Sequence, residues 1–173
     1  VSNAPTNAGE HEYWLDFSDG AEIAPGDVYV VAHGSADAAI TDHADQFHRY
    51  LSNGDDGYAL VKGTESSYEI VDFLGDFNGD PGSGWDVAGV SAATKDQTLV
   101  RKQGTLHGNS DWDASRGTTA ADSEWTVLAQ DAFVGSYGLE QVIGYSATDL
   151  SLDKDKWFTV SEFPWSGNNT AGF

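Results

Sequence analysis

Apolar and aromatic residues occur in this chain as short runs, each closed off by glycine, asparagine, aspartate or proline, and that spacing limits its fold most. Val28-Tyr29-Val30-Val31 follows the turn-prone Ala24-Pro25-Gly26-Asp27, and Tyr58-Ala59-Leu60-Val61 follows Asn53-Gly54-Asp55-Asp56-Gly57. Runs of β-branched and aromatic residues bounded by turn formers are strand signals. The next run, Tyr68–Leu74, comes after Lys62–Ser67, close enough for an antiparallel hairpin. Further strands are predicted at Thr98–Lys102, Trp125–Leu128 and Trp157–Val160. One helix is predicted over Ala36–Leu51, where Ile40, Ala44, Phe47 and Leu51 form a helical stripe behind a Ser35 N-cap. The polar, glycine-containing segment Gly104–Ser123 reads as a long surface loop. The expectation is an all-β domain with one short helix, 36–51, and long loops.

Charge narrows the function classes. Eight Lys+Arg against 28 Asp+Glu give a net charge of −20, a field that repels polyanions before contact, so no nucleic-acid partner is expected. No apolar run approaches the ~18 residues of a membrane helix, so no membrane insertion is expected either. With 39% hydrophobic and 12% aromatic residues, the chain carries far more core material than an acidic disordered tail. The absence of cysteine removes disulfides, thiolate nucleophiles and Cys-ligated zinc. Acidic, lysine-poor composition suits an extracellular or cell-surface setting. Val1 in place of methionine is read as following a removed signal peptide, and the sequon Asn168-Asn169-Thr170 accords with that.

The sharpest chemical motif is Asp76-Phe77-Asn78-Gly79-Asp80-Pro81-Gly82. Asp76, Asn78 and Asp80 place oxygens at alternate positions, with Asp86 nearby as a further oxygen, and a hard cation such as Ca2+ needs several oxygens at ~2.3–2.6 Å. The competing account is that these residues form Asx turns with their own backbone. Asp55 and Asp56 read as a hairpin turn, since adjacent side chains of extended backbone face opposite sides. The five histidines show no ligand spacing, and the chain lacks G-x-S-x-G, a P-loop, H-E-x-x-H and G-x-G-x-x-G. No enzymatic activity is therefore expected. Trp112 and Trp165 are the candidates for a ligand or partner surface, including a sugar-stacking platform.

The ordered set Pro25–Ala32, Asn53–Val61, Ile70-Val71-Asp72-Phe73-Leu74-Gly75, Asp80-Pro81-Gly82-Ser83-Gly84-Trp85, Thr98–Lys102 and Ser123-Glu124-Trp125 resembles the lamin-tail domain family, in its secreted bacterial and marine form, over about residues 22–128. The resemblance implies an immunoglobulin-like β-sandwich used as a binding or structural module. It divides the chain into an N-terminal extension or degenerate first strands (1–21), the sandwich (22–128) and a C-terminal extension that packs on or completes it (129–173). The family's opening strands are not found before Tyr13–Phe17, which implies an open sheet edge for a protein partner or for self-assembly. The function expected is a non-catalytic adhesion, scaffolding or assembly module, stabilised by calcium. An accessory domain of an extracellular nuclease or other hydrolase and a carbohydrate-binding module are the alternatives.

Overall fold

The structure, a computed structural model, describes residues 1–23, 28–51, 53–102, 104–105 and 107–132. The predicted strand at Trp157–Val160, the sequon and Trp165 lie outside the described residues. The described chain is β-rich with two short helices. It forms two compact units, one of Val1–Asp16, His48–Lys102 and His107–Ala132, the other within Phe17–Phe47.

In the smaller unit, β1 (Val31–Ala32) pairs in parallel with β2 (Gln46–Phe47). Between them lies α1 (Ala38–Thr41), whose N-cap is Asp37, its side chain accepting from the Ala39 amide at 2.9 Å. The helix expected over 36–51 is thus a single turn with a different cap. Its C-terminal half is claimed by the sheet: the Asp45 and Gln46 amides both donate to the Val30 carbonyl, at 2.9 and 3.2 Å. Phe47, placed on the buried stripe by its spacing, is 53% exposed. A helix this short has no length over which to recover its nucleation cost, so tertiary pairing decides.

The larger unit holds the two hairpins and the core. β3 (Tyr58–Thr64) and β4 (Ser67–Leu74) pair antiparallel around Glu65-Ser66, as the spacing of the two runs predicts, with both strands extended toward the turn. A bulge between the pairs Leu60↔Asp72 and Val61↔Ile70 leaves Val71 as the extra residue of β4. β5 (Gln97–Arg101) and β6 (Trp125–Ala129) form the second hairpin, in register from Gln97↔Ala129 to Arg101↔Trp125. Between β5 and β6, where a surface loop is expected, the chain makes α2 (Trp112–Arg116). Asp111 caps it by accepting from the Ala114 amide at 3.0 Å, and Gly117 ends it at φ 61°.

Phe73, Phe77, Val87, Ala93 and Trp112 are the buried centre of this unit. Phe73 meets Phe77 edge-on at 4.8 Å, and Trp85 meets Trp112 edge-on at 6.3 Å, the arrangement that aromatic quadrupoles favour. Gly75 lets the chain turn away from β4 at φ 74°, where a Cβ would lie 2.7 Å from the Trp85 indole nitrogen.

After α2 the chain is held by one carboxylate. Asp122 accepts from the Thr119 amide at 2.6 Å and hydroxyl at 2.9 Å, and from the Thr118 hydroxyl at 2.9 Å and amide at 3.0 Å. These donors, the Thr119 amide foremost, hold its carboxyl down at about 2, from an ordinary 3.8. The folded value lies below the unfolded one, so its stabilisation is present above the unfolded value and is lost as pH falls through about 2. A carboxyl-detected NMR titration is expected to place the Asp122 midpoint near about 2, and Thr119→Ala to move it upward. A midpoint in the ordinary aspartate range in the parent chain would contradict this hydrogen-bonded loop.

Candidate functional site

Arg101, the last residue of β5, is the centre of a dense set of polar contacts in the larger unit. Its Nη1 donates to both oxygens of Asp72 on β4, at 2.9 and 2.7 Å, and its Nη2 donates to Glu124 Oε2 at 2.8 Å, to Ser115 Oγ at 3.0 Å and to Asp72 Oδ1 at 3.1 Å. The guanidinium lies 4.4 Å from the centre of the Trp125 ring, within the range of a cation–π contact. Asn109 closes the arrangement: its amide donates to Asp72 Oδ1 and its side chain to Glu124 Oε1, both at 2.9 Å. One cation thus bridges two carboxylates and ties β4, β5, the start of β6 and α2 together. A lysine could not reproduce these contacts, since its donors radiate from one nitrogen, whereas the planar guanidinium spreads them over two terminal nitrogens and can meet a carboxylate side-on.

Ser115 lies inside this centre, fully buried, with its oxygen accepting from Arg101 and from the Trp125 indole N–H at 2.9 Å. Two donors on one hydroxyl oxygen draw electron density from it, the reverse of what a nucleophile needs. The contacts of this arrangement fasten strand ends and a helix to one another.

A second buried polar cluster lies at the entry to β3. Asp55 and Asp56 are 7% and 4% exposed, so the pair expected in a hairpin turn is interior instead. The Trp85 indole donates to the Asp56 carbonyl at 3.2 Å, and the Tyr58 hydroxyl to Asp56 Oδ2 at 2.9 Å. Burial, reinforced by that carboxylate, raises the Tyr58 phenol well above its ordinary range.

Of the expected calcium ligands, the structure places Asp76 and Asp80 in local turns around Asn78, and Asp86 against a more distant amide. Asp76 Oδ1 accepts from the Asn78 amide at 2.6 Å, Asp80 Oδ1 from the Gly82 amide at 2.6 Å, and Asp86 Oδ1 from the Ala92 amide at 2.8 Å. Among the described residues, no three His, Asp or Glu side chains converge as a metal site. Trp112 is corrected outright: at 3% exposure it belongs to the core and offers no face to a sugar or partner. α2 turns its first residue inward, which a reading of 104–123 as a loop does not allow for.

Sequence reasoning missed Arg101 as a centre, although a signal was present: an arginine inside a strand of a chain with eight Lys+Arg and 28 Asp+Glu is the natural hub for carboxylates. No family model matches the chain, and neither the curated proteins nor the solved structures contain a significant match to it.

Proposed function

We propose that the chain is a non-catalytic binding or assembly module of secreted or cell-surface type, built as an immunoglobulin-like β-sandwich of the lamin-tail kind. The observation that supports this reading is the Arg101 centre, in which Arg101, Asp72, Glu124 and Ser115 are spent on fastening strand ends and a helix. Such a centre makes a rigid carrier, and a carrier works through its outside. Each of the three described sheets has two strands, and a short sheet keeps an edge to which another strand can add. The docking partner proposed is a further copy of the same chain. The charge of −20 opposes that contact at low salt and is screened at physiological ionic strength over ~8 Å.

Light scattering on a concentration series, at rising NaCl and separately at rising CaCl2, tests the reading. Growth in particle mass with either salt is the expected result. Under CaCl2, growth lost in Asp76→Asn/Asp80→Asn marks calcium held at that loop, and growth retained marks screening alone. A single monomeric species under every condition overturns the assembly reading. Turnover in a screen of nuclease, glycosidase and esterase substrates overturns the non-catalytic one.

A further inference from the structure

The chain contains two Asn-Gly dipeptides, Asn53-Gly54 and Asn78-Gly79, and the structure treats them differently. An asparagine followed by glycine is chemically labile, because the next amide nitrogen can reach the side-chain carbonyl carbon when no Cβ obstructs it. Reaching it requires the backbone between the two residues to rotate.

At Asn53-Gly54 the surroundings oppose that rotation. Gly54 sits at φ 93°, packed so that a Cβ would lie 2.6 Å from the Thr94 carbonyl oxygen and 2.8 Å from Lys95 Cα. Its carbonyl accepts the Thr94 hydroxyl, and the residues that follow, Asp55 and Asp56, are buried. At Asn78-Gly79 both residues are exposed, and a Cβ on Gly79 would meet nothing within 4 Å. Among the described hydrogen bonds none uses the Gly79 amide, while the Asx turns of Asp76 and Asp80 sit on either side of the dipeptide.

We propose that Asn78-Gly79 is a site of spontaneous deamidation in the folded protein and that Asn53-Gly54 is protected by its packing. In the reaction the Gly79 nitrogen forms a bond to Asn78 Cγ and the Cγ–NH2 bond breaks, the leaving amine departing as ammonia with the Gly79 amide proton. Water then opens the resulting succinimide. Opening at Cγ leaves an aspartate, and opening at the main-chain carbonyl leaves an isoaspartyl linkage. Nothing is oxidised or reduced. The product carries a new carboxylate between Asp76 and Asp80, in a chain already at −20.

The test is peptide mapping by mass spectrometry after incubation at mildly alkaline pH and body temperature, on the folded chain and on the chain in denaturant. In the folded chain, amide-to-acid conversion is expected to be roughly tenfold or more faster at Asn78 than at Asn53, a barrier difference of ~1.4 kcal/mol. In denaturant the two rates should converge. Gly79→Ala, which has room for its methyl group, is expected to slow Asn78 severalfold and leave Asn53 unchanged. Equal rates in the folded chain, or faster conversion at Asn53, would overturn the proposal.

Discussion

Arg101→Met is expected to destabilise the larger unit by about 3 kcal/mol, read as a lower urea midpoint at an unchanged denaturant slope. The substitution keeps much of the side chain's volume and removes its charge. Asp72 and Glu124 then face each other's field without the cation that bridges them, and Ser115 and the Trp125 ring lose a shared partner. Removing one partner of a buried ion pair costs about 3–5 kcal/mol. Here the Arg101, Asp72 and Glu124 side chains keep 21%, 29% and 28% of their exposure, so water screens part of the loss and the lower end applies. Arg101→Lys separates charge from geometry. It retains the cation and loses the fork, and is expected to cost about half as much as Arg101→Met. Adding Asp72→Asn to Arg101→Met should recover part of the loss, because one uncompensated carboxylate is gone. A change below about 0.5 kcal/mol in Arg101→Met would place this centre with ordinary surface pairs. It would also remove the chief support for reading the chain as a rigid module.

What was legible in the sequence follows from range. The hairpin β3–β4 is encoded locally, since two β-rich runs separated by a few polar residues have few other ways to pair. The strands at Gln97–Arg101 and Trp125–Ala129 were legible for the same reason, although their pairing across more than twenty residues was not. Two features escaped because a distant contact decides them. The stripe Ile40, Ala44, Phe47, Leu51 has helical spacing, yet the Val30 carbonyl claims Asp45 and Gln46 for a sheet. Spacing reports what a segment would do alone, and pairing overrides it. The Arg101 centre joins residues 72, 101, 109, 115 and 124, which no local window brings together. The aspartates at 76 and 80 were legible as turn formers and ambiguous as ligands, because an Asx turn and a cation loop favour the same residues. Their hydrogen bonds to Asn78 and Gly82 are those of the turn.

Trp112 is where local reading and structure part most sharply, and it carries the second large effect. Trp112→Ala is expected to cost about 3–5 kcal/mol, the range for truncating a buried aromatic in a core that collapses only in part. The side chain is 3% exposed, meets Trp85 edge-on and belongs to the cluster that also holds Phe73 and Val87. Trp112→Phe is expected to behave differently. The Trp112 indole nitrogen is buried without a hydrogen-bond partner, and a buried unsatisfied donor carries a penalty of about 1–3 kcal/mol. Phenylalanine gives up some buried area and removes that donor. The two terms oppose each other, and the net cost should fall within about 1 kcal/mol. Urea midpoints for the parent and the two variants measure this directly. If Trp112→Phe costs as much as Trp112→Ala, the indole is satisfied by a buried water and its N–H belongs to the core's polar framework. If Trp112→Ala costs less than about 1 kcal/mol, the side chain is not in the core and a surface role for it returns. The core position predicts a wide gap between the variants, because shape holds Trp112 in place while its one polar atom works against it.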